Sequence, residues 1–246
     1  VLSQLGKGKS SVGTVIIAYN RGLLTVDLLA LSLAPEIFIA GNDQNVAINM
    51  PSLRHVFAGD LAIASSSALQ RVAAPRLERV HKDLELFFLA SLPSLELPKL
   101  VAVEEDAKVH DCAALMSLAL GSLSAVGEDV ELYDCWSLRV VDVSALTRVE
   151  EDFEAYLLHS LPLLSLPTLV SIGEDLICFG NPSLRRLLAP RLRVVAAREG
   201  GGMLIENNAK LQQFGLPSLR VLGNRTARLC PRERRGAPSQ NIIGAE

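Results

Sequence analysis

Aromatic residues and cysteine are scarce in this chain. Phenylalanine, tyrosine and tryptophan make up 4% of its 246 residues, and there are four cysteines. Four cysteines are too few for a disulfide framework, and they lack the paired Cys-x-x-Cys spacing of a zinc site. No apolar run reaches the roughly 18 residues that a membrane-spanning helix needs. These absences argue against a disulfide-stapled domain, a zinc module and a helical membrane span.

Positive charge is also scarce over most of the chain. The formal net charge is −3, and residues 225–246 carry five arginines and two glutamates, so residues 1–224 carry −6. Nucleic-acid binding needs a clustered basic face, so an acidic body of this kind argues against it. At 49% hydrophobic residues, the chain has enough apolar side chains for a continuous core.

What the chain has in abundance is an internal repeat. A Leu-x-x-Val motif returns at a spacing of 24, then five times 23, then 27 residues. Two degenerate units, Val15–Asn20 and Ile37–Asn42, precede the clear ones. A fixed period of this length is typical of a solenoid. The motif pairs are Leu53/Val56, Leu77/Val80, Leu100/Val103, Leu123/Val126, Leu146/Val149, Leu169/Ile172, Leu192/Val195 and Leu219/Leu222.

Each repeat also contains a segment that alternates apolar and polar residues, which is typical of a half-buried strand. A unit of 23 residues leaves no room for a long helix, so we predict an all-β, right-handed solenoid of about nine coils. Residues 13–224 form this solenoid, after an N-terminal lead-in at 1–12 and before a basic flexible tail at 225–246. The four extra residues of the longest repeat predict a protruding loop around 198–202.

The repeats resemble those of receptor L domains and leucine-rich repeats. Ala-Pro-Arg-Leu-Arg-Val-Val at 189–195 and Gly-Glu-Asp-Leu at 173–176, followed by Asn-Pro-Ser-Leu at 181–184, look closest to repeats of fungal GPI-anchored cell-wall proteins. The resemblance covers about residues 13–224. It departs from that pattern where Cys112 and Cys135 replace the turn asparagine. There the repeats look more like bacterial and protozoan surface leucine-rich repeats.

The resemblance implies a right-handed β-helix that serves on a cell surface for binding or wall architecture. We therefore expect a non-enzymatic scaffold for protein interaction or cell-surface binding. The alternatives are a structural wall or surface component and a carbohydrate-binding module. A β-helical enzyme acting on polysaccharides is less favoured, because the carboxylates follow the repeat and no catalytic group stands apart from it. An extracellular or surface location is suggested by the resemblance alone, and we expect no cofactor.

One column of aromatic residues appears when the repeats are aligned. It consists of outward positions that follow the inner pair of the alternating segment, namely Phe87, His110, Tyr133, Tyr156 and Phe179. The neighbouring outward position carries Glu85, Glu131 and Glu154 in three of the same repeats. Stacked aromatics stabilise adjacent strands, whereas an exposed aromatic strip marks an interaction site for a protein or a glycan. Both interpretations stay open, and these eight residues form the candidate binding strip.

A second column is acidic. Its aspartates could each accept backbone N–H bonds in a turn, or hold a divalent cation such as calcium between repeats. We favour the turn interpretation and expect no metal site. Cys112 and Cys135 lie one repeat apart, at a spacing that a disulfide allows, although two stacked free thiols are favoured. The aspartates are Asp60, Asp83, Asp106, Asp129, Asp152 and Asp175.

Overall fold

The computed structural model describes residues 13–196 and 201–223 of the chain. These residues form nine coils, each built from three short strands, and none of them is helical. Strands pair in parallel with their equivalents in the next coil, without a break on two faces and with two breaks on the third. The predicted all-β solenoid with a period of about 23 residues is therefore confirmed. The predicted lead-in at 1–12, the tail at 225–246 and positions 198–200 of the predicted loop lie outside the described residues.

Three faces run along the solenoid. The strands of the first face, here called the long sheet, have four residues each. They are β1 (Val15–Ala18), β4 (Ile37–Ala40), β7 (Leu61–Ala64), β10 (Leu84–Phe87), β13 (Ala107–His110), β16 (Val130–Tyr133), β19 (Phe153–Tyr156), β22 (Leu176–Phe179) and β25 (Met203–Glu206).

The second face, the short sheet, has nine strands of two residues. They are β3 (Leu33–Ala34), β6 (His55–Val56), β9 (Arg79–Val80), β12 (Ala102–Val103), β15 (Ala125–Val126), β18 (Arg148–Val149), β21 (Ser171–Ile172), β24 (Val194–Val195) and β27 (Val221–Leu222).

The third face is divided into three separate three-stranded sheets. The first contains β2 (Thr25–Asp27), β5 (Ala47–Asn49) and β8 (Arg71–Ala73). The second contains β11 (Ser94–Glu96), β14 (Ser117–Ala119) and β17 (Val140–Asp142). The third contains β20 (Leu163–Ser165), β23 (Arg186–Leu188) and β26 (Gln213–Gly215).

One continuous core fills the interior. The Leu-x-x-Val motif supplies a leucine before the short sheet and a valine at its end, as with Leu100 and Val103, which are 0% and 1% exposed. Alternate positions of the long sheet also point inward, so Leu84 and Leu86 are buried. The alternation of apolar and polar residues in the sequence thus corresponds to inward and outward positions. The first and third residues of each long-sheet strand pack in the core, and the second and fourth face outward. No helix in the described part of the chain is long and apolar enough to cross a membrane.

A tight corner follows each long-sheet strand. The first residue after the strand has a positive φ in all nine described coils, and seven of these residues are not glycine. This left-handed conformation turns the chain from the long sheet toward the third face, and it is costly for bulky residues. The residues are Tyr19, Gly41, Ser65, Phe88, Asp111, Asp134, Leu157, Gly180 and Asn207.

Candidate functional site

The predicted aromatic column occupies the last position of five consecutive long-sheet strands. The register pairs Phe87 with His110, His110 with Tyr133, Tyr133 with Tyr156 and Tyr156 with Phe179. The structure thus brings together all five residues that the sequence analysis aligned. We call them the aromatic ladder.

Four successive rings of the ladder, from Phe87 to Tyr156, lie face to face. The ring centroids of His110 and Tyr133 are 4.5 Å apart, and those of Tyr133 and Tyr156 are 4.7 Å apart with only 2° between their planes. Phe87 continues the stack on His110 at 5.1 Å. This spacing matches the separation of adjacent strands, so the backbone itself sets the stacking distance.

The ladder is less exposed than the sequence analysis assumed. Tyr133 is only 2% exposed, and the other four members are half-buried. The expectation of an exposed aromatic strip is corrected in this respect, because stacking covers the ring faces and leaves mainly ring edges at the surface. Phe88, which sequence reasoning missed, is 53% exposed and lies edge-on to Phe87. A second phenylalanine directly after Phe87 in the sequence could have indicated that Phe88 lies beside the ladder.

The aspartate column forms a second ladder at the entrance to the long sheet. From Asp60 to Asp152, Oδ1 of each aspartate accepts the backbone N–H of the aspartate in the next coil, as from Asp129 to Asp106 at 2.8 Å and from Asp152 to Asp129 at 2.8 Å. Asp175, the last of the column, accepts the backbone N–H of Gly202. The same bond recurs from Asp83 to Asp60 and from Asp175 to Asp152. The aspartates therefore accept backbone N–H groups as predicted, but the donor belongs to the following coil, so each carboxylate joins two coils.

The glutamates of the candidate strip lie between these two ladders, on the same outward face. Glu131 pairs in register with Glu154, and Lys108 is the neighbour of Glu131 on the other side. Nζ of Lys108 lies 2.5 Å from Asp106 Oδ2 and 3.3 Å from Glu131 Oε1. Burial works to lower the pKa of Lys108, but the carboxylates of Asp106 and Glu131 outweigh this effect and raise that pKa.

Burial, together with neighbouring acids, raises the pKa of several carboxyl groups on this face. Burial raises the pKa of Glu154 to about 8, and the nearby carboxylates of Glu131 and Asp152 add to the effect. Burial likewise raises the pKa of Asp129 to about 7 despite its backbone hydrogen bond. Burial also raises the pKa of Glu85. The outward face of the long sheet thus holds more carboxyl groups than it can ionise freely at neutral pH.

Three of these acids are close enough to share an ion. Ligand atoms of Asp106, Asp129 and Glu131 lie within 4.8 Å of one another. The ammonium group of Lys108 already contacts two of the three. Calcium binding at this column stays an untested alternative.

A polar column lines the corner beside the aromatic ladder. Asn181 donates from Nδ2 to the carbonyl of Ala155 in the previous coil and accepts the N–H of Leu158. Where cysteine replaces asparagine, Sγ of Cys112 and of Cys135 approach the equivalent carbonyls at 3.7 and 3.8 Å. Both thiols are buried and free, so the favoured prediction of unbonded cysteines is confirmed.

The molecule is thus a three-faced parallel β-solenoid whose long sheet carries stacked, partly exposed rings beside closely spaced carboxyl groups. Comparison with family models, curated proteins and solved structures finds no match to the chain.

Proposed function

We propose that this solenoid is a non-enzymatic binding scaffold, and that the outward face of its long sheet holds a protein partner rich in lysine or arginine. The observation that carries the proposal is the imbalance of charge on that face. Acidic residues recur in adjacent coils beside the aromatic ladder. They are the aspartates that precede the long-sheet strands and the glutamates at the second position of those strands. Lys108 is the only lysine or arginine at these positions in β10–β22.

The same face favours a protein partner over a glycan. Sugars bind aromatic side chains by lying on the ring face, but the faces of the rings from Phe87 to Tyr156 are covered by their neighbours. Ring edges and carboxylates remain, and these suit the aliphatic stems and charged ends of lysine and arginine. Recurrence at every coil provides contacts at a spacing of about 4.8 Å along the solenoid. The resemblance of the repeats to surface leucine-rich repeats supports an extracellular setting for such binding.

Neutralising two carboxylates tests the proposal. We expect the variant Glu131→Gln with Glu154→Gln to bind a panel of lysine- and arginine-rich peptides at least about tenfold more weakly. Glu131 loses its charge, and Glu154, whose raised pKa a bound cation would lower, can no longer ionise beside that cation. Peptide arrays would identify the binders, and calorimetric titration at two salt concentrations would measure them. Binding that depends on these charges should weaken at high salt.

A matched control removes two carboxyl charges elsewhere. Asp43→Asn with Glu96→Gln replaces the same number of carboxyl groups by amides, away from the long-sheet face. If this control weakens binding as much as the test variant, attraction by overall charge is the cause and the assigned face is wrong. Glycan binding by the unmodified chain, with no basic peptide bound, would favour the carbohydrate-binding alternative instead.

A further inference from the structure

Two prolines interrupt the third face. In other coils, the residue before the third-face strand donates its N–H to the previous coil, as Arg139 does to the carbonyl of Met116 at 2.9 Å and Arg185 does to that of Pro162 at 2.9 Å. Pro93 and Pro162 occupy the same position and have no N–H to donate. The third face therefore splits between β8 and β11 and between β17 and β20.

The split at Pro162 opens a surface notch of about 320 Å³, which we call the Pro162 notch. Its apolar wall includes Pro162, Leu163 and Val140, and the Val140 side chain is 54% exposed. Its polar groups come from Ser165 and from three arginines, Arg139, Arg185 and Arg186. A volume of this size is at the lower end of the range for small-molecule sites.

The three arginines are unmatched. None of them has a side-chain hydrogen bond or an ion-pair partner in the described part of the chain, and no carboxylate lines the notch. Three arginines elsewhere on the described part of the solenoid do form ion pairs, namely Arg54 with Glu78 at 3.1 Å, Arg79 with Glu104 at 3.8 Å and Arg148 with Glu150 at 2.6 Å. Arg139, Arg185 and Arg186 all line one cavity and therefore concentrate positive charge there on an otherwise acidic molecule.

The split at Pro93 serves as an internal comparison. A notch of about 400 Å³, here called the Pro93 notch, lies at this split, between β8 and β11. Arg71 and Glu96 both line it, so its charges balance. Both notches lie at a split next to a proline, but only the Pro162 notch has an excess of arginines. Comparing them therefore separates the effect of the cavity from the effect of the arginines.

We infer that the Pro162 notch binds a small organic oxyanion, a carboxylate, sulfate or phosphate group carried on an apolar body. The guanidinium groups offer paired N–H donors that fit the oxygen atoms of such a group. The apolar body then covers Val140 and Leu163, which are otherwise in contact with water. The notch lies on a different face from the aromatic ladder, so this inference does not depend on the proposed function.

Phenyl phosphate is a suitable probe because it joins an aromatic ring to an oxyanion. We expect it to bind the full chain at one site, more tightly than inorganic phosphate, while phenol does not bind. The variant Arg139→Gln with Arg185→Gln should weaken binding by at least about tenfold, since two charge-assisted contacts are lost. Calorimetry would give the affinity and the stoichiometry.

Two further variants make the test decisive. Arg71→Gln removes a charge from the Pro93 notch and should leave the affinity unchanged. Pro162→Ala keeps all three arginines but restores an N–H that can bond to the Arg139 carbonyl, so it should close the notch and weaken binding. Equal losses in Arg71→Gln, or full binding by Pro162→Ala, would overturn the inference, as would binding of a glutamate-rich peptide without binding of phenyl phosphate.

Discussion

Glu154 is a residue whose ionisation differs strongly from that of a glutamate in water. Its pKa is raised to about 8 by burial and by the carboxylates around it. In the unfolded chain this carboxyl ionises near pH 4.5. Between these two values the folded chain holds a proton that the unfolded chain has lost, so stability falls as pH rises from about 4.5 to 8 and changes no further above that.

Replacing this acid should therefore flatten the pH dependence. We expect Glu154→Gln to raise the free energy of unfolding by on the order of 3 kcal/mol at pH 9 and to change it little at pH 4.5. Urea denaturation at the two pH values measures the difference. Glu96→Gln, on the third face, is the control, and an equal gain in that variant would show that net charge, not the local crowding, is responsible.

Asp152 tests the hydrogen bonds of the aspartate column. Its Oδ1 accepts the backbone N–H of Asp175 at 2.7 Å. Asparagine keeps that acceptor and removes a negative charge, so we expect Asp152→Asn to match or exceed the stability of the original chain. Asp152→Ala leaves the N–H without its acceptor and should cost about 1–2 kcal/mol. Thermal unfolding of both variants decides the matter, and equal stability would mean that the bond contributes nothing.

At the scale of strands, the period-2 alternation predicted the long sheet, since it follows directly from inward and outward positions. Two other features were not predictable from the repeat. The corner residue with positive φ varies from Tyr19 to Gly41 to Phe88, because the backbone path and not the side chain imposes that conformation. The division of the third face depends on Pro93 and Pro162, which break the repeat in two coils only.

The aromatic ladder is an element whose stabilising role can be measured. Tyr133 stacks on rings on both sides and is 2% exposed. We expect Tyr133→Ala to lower the free energy of unfolding by about 3–5 kcal/mol, whereas Tyr133→Phe keeps the stack and should cost less than about 1.5 kcal/mol. Chemical denaturation measures both variants.

Phe57→Ala provides the control for this ladder, because Phe57 is 48% exposed, lies outside the ladder and does not have a positive φ. A surface substitution of this kind should change stability by no more than about 0.5 kcal/mol. If Tyr133→Ala cost no more than this control, stacking would not stabilise the solenoid, and the column would have to be explained by binding alone.

At the scale of the whole molecule, the fold was predictable because one spacing of 23 residues fixes which side chains meet in successive coils. The register of the candidate strip followed from the same spacing. Its exposure did not, because the burial of Tyr133 depends on ring stacking between coils. Nor could the Pro162 notch be predicted, because its arginines come from two coils on either side of the coil that contains Pro162: Arg139 from one, and Arg185 with Arg186 from the other.

A solenoid in which each coil contacts mainly its neighbours should tolerate the loss of one complete period. Deleting residues 151–173 removes β19, β20 and β21 and joins Glu150 to Glu174, which occupies the position of Glu151 one coil later. We expect an eight-coil solenoid that folds cooperatively, with a urea m-value lower by about one ninth because less surface is exposed on unfolding. Circular dichroism and urea titration measure both properties.

Deleting only residues 151–161 breaks the register of every later coil and should abolish folding. Equal outcomes for the two deletions would therefore contradict the view that each coil is stabilised mainly by its neighbours. Because the 23-residue deletion also removes Pro162, the shortened chain should no longer bind phenyl phosphate.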